Sequence, residues 1–276
     1  MSVTLDQNCP VIRSRQNSHF KAWLQTGRKG PFEDVFICEG LRFAEAALQS
    51  GLIPRAFILA ESLLVQPERL DRLTAIMPEQ TPVFVLADDL LAALSDTRHS
   101  QGCLLLLPKQ FQPALSAQQQ AMSPRQQRWL VLDRLQDPGN VGTLIRTAAA
   151  FAFSGVLFMN GTASPYESKA LRASMGAIFR IPLTFFRTPA DCVAFLKERQ
   201  ALLYAADLNG TPSRRLSWQL PAALVIGNEG NGVCREFLQL ADCCVRIPQV
   251  PEIESLNAAA AGAILCYELC GDISFK

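Results

Sequence analysis

Asn140, Gly142 and Arg146 fall within the run DRLQDPGNVGTLIRTA, Asp133 to Ala148, and combine an amide, a glycine and a guanidinium in one short stretch. The amide both donates and accepts hydrogen bonds, and the guanidinium carries a planar fork of donors. Ahead of them, Trp129-Leu130-Val131-Leu132 is a short apolar run of the kind buried on both faces of a parallel sheet. Behind them, Val141, Leu144, Ile145, Ala148 and Ala149 recur at helical spacing. Asp137-Pro138-Gly139-Asn140 is the turn between the two: proline fixes φ, glycine relaxes the backbone, and Asp or Asn can cap the helix that follows. Open α/β sheets bind ligands outside the carboxyl ends of their strands, where this turn would lie, so Asn140 and Arg146 could reach one ligand. Taken alone, an ordinary strand-to-helix connection with an arginine on a solvated face explains the segment equally well.

Two later segments repeat the pattern. Leu224-Val225-Ile226-Gly227-Asn228-Glu229-Gly230-Asn231-Gly232 is an apolar strand running into a glycine-rich loop. Ile247-Pro248, followed by Glu254-Ser255-Leu256-Asn257, closes a third strand and opens an alanine-rich helix expected from Ser255 to Cys270. Asn-x-Gly-x-x-x-Arg, Gly-x-Glu-Gly and a late Ser-Leu-Asn thus occur in this order, each at a strand end. With them the chain resembles the SpoU (TrmH) family of RNA ribose 2′-O-methyltransferases of the SPOUT superfamily, over roughly residues 128 to 270.

The resemblance implies transfer of a methyl group from S-adenosylmethionine to a ribose 2′-hydroxyl of RNA, with ribosomal RNA favoured over transfer RNA. It implies a donor cleft formed by a deep trefoil knot, a connection that no periodicity predicts. It assigns the cofactor's adenosine to main-chain groups of Gly227, Ile247 and Leu256, with Asn228 and Gly230 beside them. Gly227 and Gly230 are expected to let backbone approach the ligand. Arg146 is the expected catalytic residue. A guanidinium is a poor general base, so a bidentate clamp on a phosphate beside the target ribose stands next to the family's proposal that the arginine itself takes the proton. Asn140 is expected to orient the arginine or the ribose, and Glu229 to have a structural or RNA-orienting part. Ser255 and Asn257 are placed near the reacting hydroxyl, while a helix N-cap explains Ser255 as well. Many relatives read Ile-Pro-Met-x-Gly before Ser-Leu-Asn, and Val-Ser after it. Here Gln249-Val250-Pro251 and Ala258-Ala259 stand instead, and Pro251 stiffens the loop beneath the donor. A catalytically silent RNA-binding protein that keeps the fold is the alternative this departure leaves open.

The elements that must position these residues form two α/β halves. Strands are expected at Val35–Cys38, Arg55–Ala60, Pro82–Leu86 and Cys103–Leu107, with helices at Leu41–Gln49, Pro67–Ile76 and Asp88–Ser95. After Lys109–Gln127, rich in Gln, Ser, Ala and Pro, strands are expected near 129–134, 155–160, 181–186, 201–206, 222–227 and 243–247, with helices between them. The organisation is therefore a basic N-terminal extension (1–30), a small α/β domain (31–108), a linker (109–127) and a larger α/β domain (128–276). The resemblance implies that the small domain is an L30e-like RNA-binding fold. Its matching features are Glu39-Gly40, Ser100-Gln101-Gly102 and the upstream Ser14-Arg15-Gln16-Asn17 with Lys21, of which Arg15, Asn17 and Lys21 are the expected RNA contacts. A plain strand-to-helix turn explains Glu39-Gly40 equally well. Relatives pair through the larger domain, so a homodimer with RNA bound across both subunits is implied.

Composition narrows the alternatives. Over 276 residues, 49% hydrophobic and 18% charged content describes a globular chain able to bury a sizeable core. A net charge of +1 gives no global nucleic-acid signature, but Arg13, Arg15, Lys21, Arg28 and Lys29 concentrate positive charge near the start. The nine cysteines include no Cys-x-x-Cys pair and only His19 and His99 are available to join them, so neither zinc nor a disulfide framework is expected. No apolar stretch reaches the ~18 residues of a membrane span, and a cytoplasmic location is expected. The absence of Gly-x-Gly-x-x-Gly after the first strand and of Gly-x-x-x-x-Gly-Lys-Ser/Thr argues against dinucleotide oxidoreductases and P-loop NTPases.

Overall fold

In the computed structural model the chain divides between Gln112 and Pro113 into two units, each built on its own sheet. The described residues are 10–26, 33–66, 68, 70–97, 100–250, 252 and 254–271, so Arg28, Lys29, His99 and Pro251 lie outside them.

The first unit holds strands β1 (Val11–Ile12), β2 (Val35–Glu39), β3 (Ala56–Ala60), β4 (Val83–Leu86) and β5 (Cys103–Pro108), in spatial order β1-β4-β3-β5-β2. The β1, β4 and β3 strands are parallel, while β5 runs antiparallel to β3 and β2. Helices α1 (Ser18–Trp23), α2 (Leu41–Gln49), α3 (Asp71–Ile76) and α4 (Asp88–Leu94) join them. Residues 10–26 belong to this unit and are not a loose extension. Two causes are visible: β1 pairs with β4, and Phe20 and Trp23 on α1 are buried at 1% and 2% exposure. Asn17 caps α1, its side chain accepting from the His19 and Phe20 amides, and Arg13 is paired with Glu61. The Glu39-Gly40 turn is closed from a distance, because Gln101 Oε1 accepts the Leu41 amide at 2.9 Å and so caps α2. Glu39 itself accepts from the hydroxyls of Ser95 and Thr97.

The second unit begins with α5 (Ala117–Ala121), inside the stretch expected as a linker. That stretch is tied down: the Ala114 amide donates to Phe179 O at 2.9 Å, and Gln119 Nε2 to Phe153 O at 2.9 Å. There follow β6 (Arg128–Asp133), α6 (Pro138–Ala150), β7 (Gly155–Met159), α7 (Ser168–Ser174), β8 (Leu183–Phe186), α8 (Pro189–Lys197), β9 (Leu202–Pro212), β10 (Ala222–Gly227), α9 (Arg235–Leu240), β11 (Cys243–Arg246) and α10 (Ala258–Cys270). All six strands are parallel, in the order β11-β9-β10-β6-β7-β8. The fully buried runs of β6 and β10 suit central strands covered on both faces. On one face, Trp129, Val131, Leu157 and Val225 pack with Leu196 of α8 and Phe237 of α9. Helices α6, α7 and α10 cover the other. The chain marches outward through β7 and β8, then returns to place β10 on the opposite side of β6. This reversal is the switch point at which such sheets open a crevice.

Two glycines set how closely the helices approach. A Cβ on Gly142 would lie 2.1 Å from Ala170 O, so this glycine seats α6 against α7. A Cβ on Gly262 would meet Leu144 Cδ2 at 2.4 Å, so this face of α10 packs inside the unit, on α6. The last helix starts at Ala258, three residues later than expected, because Asn257 and not Ser255 is its cap. Among the described residues no helix is long and apolar enough to cross a membrane. Gly142→Ala should cost at least about 1–3 kcal/mol of stability, since the obstructing atom is backbone and cannot swing away. Urea denaturation of the variant beside Thr143→Ala, an exposed neighbour, measures it; equal losses would refute the packing role.

Candidate active site

Register brings the motifs together. Gly227, the last residue of β10, pairs with Asp133, the last residue of β6, so the two following loops leave the sheet side by side. The β10 loop folds back on itself: the Asn228 amide donates to Gly232 O at 3.0 Å and the Gly232 amide to Asn228 O at 2.9 Å. A Cβ on Gly227 would stand 2.1 Å from Val233 N, so glycine is required by the loop's own closure. At Gly230 a Cβ would meet nothing nearer than 3.7 Å, so the loop's own closure does not require glycine there. Asn228 locks the loop from both ends of its amide, accepting from the Gly230 and Asn231 amides and donating to Arg134 O at 2.8 Å.

Glu229 reaches across to the β6–α6 turn. Its carboxylate accepts the Gln136 amide at 2.9 Å, the Asp137 amide at 3.1 Å and Asn140 Nδ2 at 2.9 Å. Asn140 Oδ1 in turn accepts Asn257 Nδ2 at 3.1 Å. Asn257 also caps α10, its own Oδ1 accepting the Ala259 and Ala260 amides. One hydrogen-bonded chain therefore joins all three motifs, Asn257 to Asn140 to Glu229. Both ends of the Asn140 amide are committed internally, which makes it a connector; orientation of Arg146 through this amide is not seen. Desolvation, the largest influence on Glu229, raises its pKa, but the bonds from Gln136, Asn140 and Asp137 together outweigh it and hold the carboxyl below the usual range. Asp137 caps α6 through the Gly139 amide and pairs with Lys169 at 2.7 Å; this lysine first, and the Gly139 amide second, depress its pKa.

Beside this chain lies a cleft of about 460 Å³ at the carboxyl ends of β9, β10 and β11. Gly227, Asn228, Glu229 and Gly230 line one side of it, and Ile247, Ser255 and Leu256 another. Arg146 is not in its wall. It lies on the exposed side of α6, and its guanidinium has no hydrogen-bond or ion-pair partner among the described residues. Arg15 and Lys21 are exposed in the first unit, where Asn17 is spent as a helix cap. Sequence reasoning missed Asp133, whose carboxylate is 1% exposed and accepts the Cys234 amide at 2.7 Å and Arg134 Nε at 2.9 Å. Its place at the strand end that opens the run holding the first motif was the available signal. Asp207 and Leu208 also line the cleft and carried no signal, because β9 runs to Pro212, well beyond the expected 206. Among the described residues no cluster suited to a metal occurs.

A parallel sheet covered by helices on both faces, with a polar-rimmed cleft at the ends of β9, β10 and β11, defines an α/β ligand-binding unit, and the linked motifs beside the cleft make it a candidate enzyme. The sequence profile of the SpoU rRNA Methylase family matches residues 127–267, and the chain belongs to that family. It is 31% identical to the 23S rRNA (guanosine(2553)-2′-O)-methyltransferase RlmP of Bacillus subtilis (strain 168), over 94% of this chain and 99% of that one. Among solved structures, the AdoMet-bound rRNA methyltransferase of Sinorhizobium meliloti superposes with a TM-score of 0.78 at 25% identity, over 94% of this chain and 97% of that one. The SpoU methyltransferase AviRb of Streptomyces viridochromogenes, in complex with AdoMet, gives 0.79 at 25% identity, over 92% and 97%.

Two outcomes are expected from the Glu229 chain. Asn140→Ala should cost about 1–3 kcal/mol by leaving partners on both sides unpaired. In urea denaturation the double variant with Asn257→Ala should lose less than the sum of the single losses. Glu229→Gln tests the charge. Folding favours the ionised carboxylate, so its contribution is complete above the usual carboxylate range and lost as pH falls through its depressed folded value. Melting temperatures of Glu229→Gln and the native protein should therefore differ at neutral pH and converge in acid; a constant gap would show that ionisation is not what the turn reads.

Proposed function

We propose that this protein is an S-adenosylmethionine-dependent RNA ribose 2′-O-methyltransferase acting on ribosomal RNA, the function its family, its relatives and its site favour. The observation that carries the reading is the chain Asn257–Asn140–Glu229, which unites three motifs along the rim of the cleft. The cleft suits the cofactor: its volume falls in the range of small-molecule sites, and apolar Ile226, Val245 and Leu256 line it beside backbone of the glycine loop. Main-chain groups of Gly227, Ile247 and Leu256 hold the adenosine, with Asn228 and Gly230 shaping that wall. When bound, S-adenosylmethionine supplies an electrophilic methyl group on a sulfonium.

The chain's own residues do the positioning, which can lower a barrier by about 7–11 kcal/mol. Arg146, with uncommitted donors, clamps a phosphate next to the target ribose and so aligns the 2′-hydroxyl. Ser255, exposed at the cleft, contacts the ribose side of the site, while Asn140, Glu229 and Asn257 keep the loops in place. Arg15 and Lys21 of the first unit add phosphate contacts; the resemblance supports its L30e-like identity and RNA-binding role. The same resemblance supports a deep trefoil knot around the cleft and a homodimer, while the cytoplasmic location rests on the lack of an apolar leader and of a disulfide framework. A dimer would cover exposed Ile264 and Tyr267 on the outer face of α10.

Calorimetric titration with S-adenosylmethionine should show one site, and ribose-methylation mapping of RNA from a strain lacking the gene should show one lost 2′-O-methyl. Arg146→Ala should abolish methyl transfer while leaving donor affinity within about twofold, as expected for a residue outside the cleft wall. Loss of donor binding in that variant would remove Arg146 from the RNA side.

A further inference from the structure

The edge strand β8 carries Phe185, which is 54% exposed while Leu183, Thr184 and Phe186 on the same strand are half-buried. It stacks on buried Phe158 of β7 with centroids 5.0 Å apart at 29°, and Tyr166 lies 6.4 Å away at 31°. Because Leu157 and Met159 point to the face covered by α8 and α9, Phe158 and its register partner Phe185 point to the face of α6 and α7. Arg180 and Arg187 bracket the strand, both exposed, and neither guanidinium has a hydrogen-bond or ion-pair partner among the described residues. An exposed ring stacked on a buried one, on a strand flanked at both ends by unpaired arginines, suits single-stranded nucleic acid: bases stack on the ring and cations follow the backbone. Four residues make a short edge, poorly suited to pairing with a strand of another protein.

This platform is continuous with the candidate active site. The loop 160–167, which carries Tyr166, is bound to the turn that Glu229 clamps: the Ala163 amide donates to Leu135 O at 2.7 Å, Gln136 Nε2 to Gly161 O at 2.9 Å and the Arg134 amide to Thr162 Oγ1 at 2.9 Å. Strand β8 lies two strands from β6 and three from β10. At about 4.8 Å per strand this is roughly 10–14 Å, too far for the target nucleotide's own base and suited to a neighbour's. We propose that Phe185 is a stacking platform for an unpaired RNA base flanking the methylated nucleotide, with Arg180 and Arg187 holding the adjoining phosphates. The proposal rests on the reading of the protein as an RNA methyltransferase and adds a specificity-determining contact to it.

The test uses the full chain and unmodified ribosomal RNA transcribed in vitro. Phe185→Ala should weaken RNA binding, and raise the KM for RNA, by about tenfold, the usual scale for one lost base stack. Its kcat, its S-adenosylmethionine affinity and its melting temperature should match the native protein. Phe185→Trp should restore RNA affinity, as an aromatic face and not phenylalanine itself is required. RNA affinity unchanged in Phe185→Ala overturns the platform, and so does an altered oligomeric mass on light scattering, which would make this edge a protein contact. Native protein that binds RNA but methylates none would sink the enzyme reading while leaving the stacking comparison decisive. Native protein that does not bind RNA at all overturns both.

Discussion

The Glu229 carboxylate organises the second unit's carboxyl edge. It is an acceptor-only group, and here it takes two backbone amides and one side-chain amide from a turn 89 to 93 residues away in sequence. Those amides belong to the first turn of α6 and the residues leading into it, where donors have no intrahelical partner. The helix N-terminus favours negative charge, so one carboxylate satisfies the donors and complements the dipole. A carboxylate so engaged cannot also face an RNA phosphate without repulsion. The negative charge is therefore kept in the framework, and Arg146, further along the same helix, is left as an exposed cation with its donors unspent.

Asn257 extends the same economy to the end of the chain. Its oxygen closes the amides at the start of α10, and its nitrogen donates to Asn140. A serine or aspartate could cap a helix as well, but neither can accept from the helix while presenting an amide N–H to a second carbonyl oxygen. Asn140 needs both its functions too, donating to Glu229 and accepting from Asn257. The two asparagines are thus fixed by a donor-acceptor sequence running in one direction, from amide to amide to carboxylate. The chemistry of the chain, more than its packing, dictates these residue types.

Much of this was legible before the fold was known. Buried strands such as Trp129–Leu132 and Leu224–Ile226 announce themselves as apolar runs, and α2 has the limits its pattern predicts, Leu41–Gln49. The site segments were legible because strand ends, glycines and amides coincide there. Their partnerships were not, since nothing local in Asn140 says that Asn257 will lie 3.1 Å away. The glycines show the same limit. Gly142 stands in the motif with no local reason to be glycine, yet its cause is a carbonyl of α7, 28 residues further on. The N-terminal segment differs for a related reason: its positive charges read as a basic extension, while two aromatic side chains on α1 anchor it in the first unit with its charged residues still exposed. Local composition records solvent preference, and long-range packing then overrides it.

A division of labour follows from where hydrogen bonds are spent. The side chains of Asn140, Asn228, Glu229 and Asn257 are consumed in holding loops to one another and are not free to serve a ligand in the cleft. The other residues lining the cleft, Gln249 among them, stand outside this network, so their side chains can change without unlinking the motifs. The framework has no such latitude, because replacing any member strands a donor or an acceptor on its neighbour. Parallel strands deliver the loops in fixed register, Gly227 beside Asp133, and a shift of one residue would separate Glu229 from every donor it serves. Precision in this site is thus a property of the sheet, transmitted to the cleft through one carboxylate.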